Sequence, residues 1–259
     1  MSRAIWLLML GMLAVPDVAR GQARVATAGD AVVASISLED LAPGSGGVGL
    51  SADWIRPLPR GAVTAGLASV AVSGVRWSVG RLGGAWRMHP RVLGDALVSL
   101  GPGWAPGEEF LYRQVRAAIS YAVIAARLIL EGEGQAYHIA TLHGELIGSG
   151  LTIRPARGLG TRVSYGRSVG GNYDADYLLL RTDFQAGSVG GLGGVSAGRS
   201  APRVEDLEVS GSADGSRLEI FAGVRVPLYG VEWTVVLSHS GSDAVRRQAI
   251  MLTSRVPLR

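Results

Sequence analysis

The stretch RLEIFAGVRVPLYGVEWTVVLSHS, residues 217 to 240, decides the fold because its apolar and polar side chains alternate with a period of two. In its first half, Leu218, Ile220 and Val224 alternate with polar residues that include Glu219. Successive side chains of a β-strand point to opposite faces of the sheet, so this period indicates strands with one apolar and one polar face. Pro and Gly separate the two halves, which predicts a β-hairpin.

The same alternation recurs along the chain in runs close to ten residues long. It is clear in residues 75 to 80, 114 to 121 and 178 to 185. Gly and Pro residues cluster between the runs, where hairpin turns need them. We predict 14 strands as the best even division. Twelve strands is the alternative, because residues 139 to 165 can be divided in two ways.

The segment from residue 108 to 131 has a second interpretation. It is rich in Ala, and Tyr112 and Ile119 lie at helical spacing, so a single helix would fit. The regular alternation around Arg116 favours two strands instead, joined near residues 123 to 125.

The polar faces of the runs repeatedly carry Arg, Asp and Glu, and the runs are longer than the strands of soluble sandwiches. An outer-membrane barrel turns its apolar face to lipid and its charged face to a wet lumen. We therefore predict an all-β fold, a single antiparallel up-and-down transmembrane β-barrel. The alternative is a secreted soluble β-sandwich that binds glycans, in which the apolar faces pack against each other.

Alternation assigns twelve charged residues to the lumen of this barrel. They are Arg76, Asp95, Arg116, Arg154, Arg162, Arg181, Asp183, Glu219, Arg225, Glu232, Arg247 and Arg255. Because most of them are Arg, an open lumen would concentrate anionic solutes. A network of ion pairs that fills the interior is the other interpretation, and a barrel of 12 or 14 strands is compatible with both.

Aromatic residues lie near the ends of the runs or on their apolar faces, where the two aromatic girdles of a membrane barrel are expected. The predicted girdle residues are Trp54, Trp77, Trp86, Trp104, Trp233, Tyr112, Tyr165, Tyr177 and Tyr229. Packing in a soluble core is the alternative explanation for them.

Residues 1 to 23 have the form of a secretory signal peptide. Arg3 precedes an apolar run from residue 4 to 15, and the small residues Gly21 and Ala23 suit cleavage. The run is too short to span a bilayer as a helix. We predict that residues 24 to 259 form a barrel in the bacterial outer membrane. Its expected partners are membrane lipid, lipopolysaccharide, periplasmic chaperones and the barrel-insertion machinery.

Composition argues against several functional classes. The chain has no Cys, so it has neither disulfides nor thiolate metal sites. All 25 basic residues are Arg, against 21 acidic residues, for a net charge of +4. No basic run is interleaved with aromatic residues, so we predict no nucleic-acid partner.

Few residues suggest catalysis. Ser238, His239 and Ser240 are hydrolase residue types, and they motivate the alternative of a barrel enzyme that modifies lipid A or phospholipid. Neighbours on a strand point to opposite faces, however, so the Ser and His side chains would not meet. We predict no catalytic residue and no enzyme activity.

The sequence signals for a metal or cofactor site are as weak as those for catalysis. His138 and His143 are five positions apart and would face opposite sides of one regular strand, so with Glu145 they make a poor site. Residues 205 to 208 form an acidic turn that is either a cation site or a solvated loop. We predict no metal and no cofactor.

Three stretches carry a family resemblance. GGNYDADYLLLRTDF, residues 170 to 184, is a polar turn and a strand that ends in Arg and an aromatic residue. GGLGGVSAGRSAPRVEDL, residues 190 to 207, adds a Gly-rich strand and an acidic turn, and GEEFLYRQVRAAISY, residues 107 to 121, contains a Phe-Leu-x-Arg strand entry. With these the chain resembles the YaiO-type outer-membrane β-barrel family. The resemblance implies an outer-membrane barrel without established catalytic residues, although this chain lacks the usual C-terminal aromatic residue.

The predicted function is that of a non-catalytic barrel, either a narrow channel or a membrane scaffold. The candidate cargo is a small anionic solute or a surface polysaccharide.

Overall fold

A computed structural model describes residues 29 to 42, 45 to 72, 74 to 125, 127 to 172, 176 to 199, 217 to 241 and 246 to 258. The predicted signal peptide and the predicted acidic turn at residues 205 to 208 lie outside the described residues.

Fourteen antiparallel strands make up the described structure. They are β1 (Ala31–Ala42), β2 (Ser45–Leu58), β3 (Gly61–Val72), β4 (Val75–His89), β5 (Val92–Ala105), β6 (Glu108–Ile124), β7 (Leu128–Ile139), β8 (Leu142–Ala156), β9 (Leu159–Gly171), β10 (Asp176–Ala186), β11 (Val189–Arg199), β12 (Arg217–Leu228), β13 (Val231–Gly241) and β14 (Arg246–Pro257). Each strand pairs with its neighbours in sequence, and β1 pairs with β14 to close the barrel. Closure leaves no free sheet edge, as a β-structure in hydrocarbon requires.

The prediction of a 14-strand up-and-down barrel is confirmed. Residues 139 to 165 divide between β7, β8 and β9, which rules out the 12-strand alternative. The helical interpretation of residues 108 to 131 is wrong, because this segment forms β6, a turn after Ile124, and the start of β7. Within the described ranges, no helix is long and apolar enough to cross a membrane.

The outer surface of the barrel is apolar along the middle of the strands. Leu67, Leu82, Ile147 and Ile220 point outward from four different strands and are 57 to 70% exposed. Apolar surface on all sides of a closed barrel is stable only against lipid. The soluble β-sandwich is therefore wrong, because its apolar faces would be turned inward.

The two ends of the barrel differ in their connections. At one end, turns of two or three residues follow each even-numbered strand up to β12, and β1 begins there beside the end of β14. At the other end, the longest connection covers residues 200 to 216. We term these the short-turn end and the long-loop end. Outer-membrane barrels place their short turns in the periplasm, so we expect the short-turn end to face the periplasm.

Strand β4 presents its faces opposite to the prediction. Trp77, expected to face lipid, is buried inside, whereas Arg76, expected in the lumen, lies outside with its guanidinium 5.1 Å from the ring centroid of Trp104. The cause is Arg81, which shares the face of Trp77 and points inward to pair with Asp53. A charge in the middle of a strand is costly in hydrocarbon, but Arg76 lies near the strand end, close to the interface.

The aromatic residues are divided between the two faces. Those on the outer face are Trp54, Trp86, Trp104, Trp233 and Tyr165. Trp77, Tyr112 and Tyr177 were predicted to join the girdles but point into the barrel. Their rings pack on one another and on the inner wall, which buries aromatic surface as well as lipid would.

Candidate functional site in the barrel interior

Apolar and aromatic side chains fill the interior along one wall near the long-loop end. We term this cluster the aromatic layer; its members are Ala68, Val70, Val72, Trp77, Val79, Tyr112, Tyr137, Ile139, Leu146 and Tyr177. The rings of Trp77 and Tyr112 are stacked, with centroids 6.0 Å apart and an interplanar angle of 13°. All members are at most 7% exposed, so this part of the interior is packed like a protein core.

Glycines on the neighbouring strands make room for two of the tyrosines. Gly144 pairs with Tyr137 across β7 and β8, and Gly166 pairs with Tyr177 across β9 and β10. A Cβ atom at either glycine would collide with the paired tyrosine. The rings therefore lie flat against the wall, where only Gly permits such a close approach.

Closer to the short-turn end, the interior changes to paired charges, which we term the ion-pair belt. Its pairs are Arg81 with Asp53, Arg116 with Asp95 and Glu133, Arg162 with Glu131, and Arg181 with Asp183. The Arg162 Nε atom is 2.9 Å from Glu131 Oε2. Arg181 donates to both carboxylate oxygens of Asp183, at 2.6 and 3.0 Å. Asp183 is partly exposed, but the charges of the other pairs are buried, and such pairing is what buried charges need in a low-dielectric interior.

Hydrogen bonds join the layer to the belt. The Tyr177 hydroxyl donates to Glu133 Oε1 at 2.7 Å, and the Tyr112 hydroxyl donates to Gln114 Oε1 at 3.0 Å. Each tyrosine thus has its ring in the layer and its hydroxyl directed to the polar region. The two regions form one continuous filling along β6, β7 and β10.

The opposite wall carries two further ion pairs. Arg247 pairs with Glu39, and both side chains are buried near the long-loop end. Near the short-turn end, Arg225 Nε lies 3.7 Å from Glu232 Oε1, and Arg255 stands directly across from Glu232 in the strand register. Two arginines therefore lie beside one carboxylate near the short-turn end.

Strand register places eleven of the twelve predicted lumen residues on inward faces, with Arg76 as the exception. They do not form one site. Asp95, Arg116, Arg162, Arg181 and Asp183 belong to the belt, whereas the others are spread toward the two ends of the barrel.

Sequence reasoning missed four inward acids and one inward arginine. They are the acids Glu39, Asp53, Glu131 and Glu133 and the arginine Arg81. Glu131 and Glu133 alternate with Gly132 and Gly134, so no apolar residue marks the opposite face. The Arg excess of the predicted set thus came largely from acids that were overlooked.

The serine and histidine residues of β13 do not form a hydrolase site. Ser238 and Ser240 are buried on the inward face, whereas His239 is exposed on the outer face. This is the arrangement that strand alternation predicts.

His138 and His143 differ from the prediction because a turn separates them. They pair across the β7–β8 hairpin and share the outer face, with ring centroids 6.0 Å apart. The expectation of opposite faces assumed one continuous strand, which Ala140 and Thr141 interrupt. In the part of the chain that the structure describes, no three His, Cys, Asp or Glu residues are grouped to hold a metal ion.

No protein-family model matches the sequence, and a search of curated proteins gave no match. Among solved structures, the barrel is similar to the CymD monoaromatic hydrocarbon channel, with a TM-score of 0.65 and 10% identity over 98% of each chain. The Ralstonia pickettii toluene transporter TbuX gives a TM-score of 0.60 and 8% identity over 90% of each chain. The chain is an outer-membrane β-barrel. A bacterial polysaccharide outer membrane secretin shares this barrel fold, with a TM-score of 0.55 and 9% identity over 89% of this chain and 99% of that one.

Proposed function

We propose that this outer-membrane barrel is a narrow, non-catalytic channel that its own side chains close at rest. The observation that carries the proposal is the two-part interior, in which an aromatic layer on the extracellular side is followed by an ion-pair belt. A membrane scaffold needs only an apolar outer surface and a filled interior. The interior of this barrel is instead divided, so that a solute crossing it would contact aromatic rings first and paired charges second. This division favours a channel over a scaffold.

Small neutral molecules with an apolar ring are the proposed cargo. Most interior arginines have carboxylate partners, so the interior has little unpaired charge to attract an anion. Rings of a solute can stack on Trp77 and Tyr112. Trp77 Nε1 and Ser99 Oγ are buried without a hydrogen-bond partner, so each can bind a polar group of a solute. The hydrocarbon channel and toluene transporter among the similar structures support this class of cargo.

Anionic cargo is the second candidate. It is favoured by the mouth at the short-turn end, where Arg225 and Arg255 both lie beside the single carboxylate of Glu232. The polysaccharide secretin of similar fold and the YaiO-type resemblance are consistent with such cargo, and both the family assignment and the anion preference remain predictions.

The proposal includes the absence of catalysis. His239 lies on the opposite face from Ser238 and Ser240, so these residues cannot act as nucleophile and base together. His239→Ala should leave lipid A mass spectra and phospholipase activity unchanged from those of the wild type.

Conductance in planar lipid bilayers tests the channel directly. We expect a low conductance for the wild type and a severalfold increase for Trp77→Ala, because the substitution opens the aromatic layer. Trp86→Ala is the matched control, since Trp86 is on the outer face. Absence of conductance in both the wild type and Trp77→Ala would eliminate the channel and leave a scaffold.

Liposome swelling then separates the two kinds of cargo. Phenol and benzoate have similar rings and differ in charge at neutral pH. We expect faster entry of phenol than of benzoate relative to liposomes without protein. Faster benzoate entry that Arg255→Gln abolishes would favour the anionic candidate.

A further inference from the structure

Exposed arginines cluster on one side of the short-turn end. We term them the arginine arc; its members are Arg56, Arg60, Arg87, Arg91, Arg127 and Arg157. Four of them lie in the turns after β2, β4, β6 and β8, which are consecutive around the barrel. The turns after β10 and β12 contain no arginine. The charge is therefore concentrated on one part of the rim.

Among the residues that the structure describes, no acidic side chain neutralises the arc. Within the described ranges, none of its six arginines takes part in an ion pair. Asp30 is near this end and accepts a hydrogen bond from Trp54 Nε1 at 3.1 Å. The arc is thus a set of exposed cations that remain available to a partner outside the chain.

Aromatic residues locate the arc relative to the membrane. Trp54, Trp86 and Tyr121 lie on the outer face of β2, β4 and β6, five or six positions before the arginines of the following turns. Outward aromatic residues of a barrel lie at the level of the lipid headgroups. Arg56 bridges the two groups, because its guanidinium carbon is 6.0 Å from the Trp54 ring centroid. The arc therefore lies at, or just beyond, the phosphates of the leaflet.

We infer that the arginine arc binds the phosphate groups of anionic phospholipids in the periplasmic leaflet. Guanidinium groups match phosphate oxygens in a bidentate geometry. Each basic residue close to an anionic membrane surface strengthens its attraction. Among the described residues toward the long-loop end, exposed arginines (Arg76, Arg113 and Arg167) are accompanied by exposed acids at Asp40, Glu108, Glu109 and Asp176. The preference should consequently apply to one leaflet only.

Native mass spectrometry of the folded full-length barrel tests this inference. The protein is released from micelles that contain equal amounts of phosphatidylglycerol and phosphatidylcholine, and the retained lipids are counted. The test variant is Arg91→Gln/Arg127→Gln/Arg157→Gln. The control removes the same charge from the outer face toward the long-loop end, as Arg76→Gln/Arg113→Gln/Arg167→Gln.

We expect the wild type and the control to retain phosphatidylglycerol at least tenfold over phosphatidylcholine, and the test variant to lose most of this preference. Heat-modifiable migration on gels verifies that each variant is folded. Replacing the same three arginines with Lys keeps the charge and should preserve the preference within about threefold, since Lys binds phosphate as a point charge.

Three results would overturn the inference. One is a wild type that retains both lipids equally, and another is a control that loses as much preference as the test variant. The third, measured in micelles in which lipid A replaces phosphatidylcholine, is stronger retention of lipid A than of phosphatidylglycerol, which would locate the arc in the outer leaflet. Sodium glycerophosphate at the same phosphate concentration should not displace the lipid; complete displacement would mean that a soluble anion, not a membrane lipid, is the ligand.

Discussion

The aromatic layer and the ion-pair belt fill the same interior by different means. In the layer, Trp77 and Leu146 are at most 1% exposed and contact other apolar side chains, so each contribution is one of packing. In the belt, each buried charge depends on the particular partners that it contacts. The layer should therefore lose stability in proportion to the volume removed, whereas the belt should respond sharply when one partner of a pair is deleted.

The largest expected effect is in the belt. Arg81→Met removes the guanidinium that pairs with the buried Asp53 carboxylate and should lower the free energy of unfolding by about 3–5 kcal/mol. Urea unfolding in lipid vesicles measures the loss. Replacing both partners, as Arg81→Met/Asp53→Leu, should recover most of it. A single variant as stable as the wild type would contradict the difference between belt and layer.

A smaller loss is expected when the layer is depleted. Leu146→Ala removes a side chain that is 1% exposed and should cost about 2–4 kcal/mol, chiefly by leaving a cavity. Leu82→Ala on the lipid face is the control and should cost less, because lipid fills the space. The same urea titration compares them, and equal losses would mean that the layer is not packed as described.

A hydrogen bond from Tyr177 to Glu133 joins the aromatic layer to the ion-pair belt, and removing the tyrosine hydroxyl deletes it. Tyr177→Phe keeps the ring in the layer but deletes the hydroxyl that donates to Glu133, and it should cost about 1–3 kcal/mol. Tyr165 is on the outer face, so Tyr165→Phe should leave the unfolding midpoint almost unchanged. Similar shifts for the two variants would show that the Tyr177 hydrogen bond does not couple layer and belt.

The smallest change lies outside both regions. Ala140 in the β7–β8 turn has a φ of +51°, a conformation that costs a non-glycine residue about 1 kcal/mol. Ala140→Gly should therefore stabilise the barrel slightly. Ala136→Gly in the adjoining strand should destabilise it, because Gly there only adds chain entropy to the unfolded state. Thermal unfolding followed by gel migration compares the two variants. A lower unfolding temperature in both would contradict the interpretation that the turn at Ala140 is strained.

Much of the fold was predictable because lipid requires a regular pattern. Runs such as Leu178, Leu180 and Phe184 put large apolar residues on every second position, and the structure has these side chains outside. The alternation gave the wrong orientation for β4, where the apolar residues Trp77 and Val79 point into the barrel. Alternation shows that the two faces of a strand differ in polarity. Where the barrel interior is also apolar, it does not indicate which face contacts lipid.

The interior was predictable only in part. Arg181 and Asp183 were assigned correctly to one face, but their mutual pairing was not foreseen. Arg81 and Asp53 are 28 positions apart and meet across three adjacent strands, β2, β3 and β4. No local spacing reports such a contact, because it depends on the register of each intervening strand.

Alternating side chains and repeated turns are enough to predict a closed β-structure with an apolar outside, since a closed barrel satisfies all of its strand backbone groups in lipid. The folded structure is needed to see which aromatic residues point inward and which charges are paired. The reason is that closure brings together residues from strands far apart in the chain. The division of the interior into an apolar and an ionic region therefore depends on the strand register, which no single segment encodes.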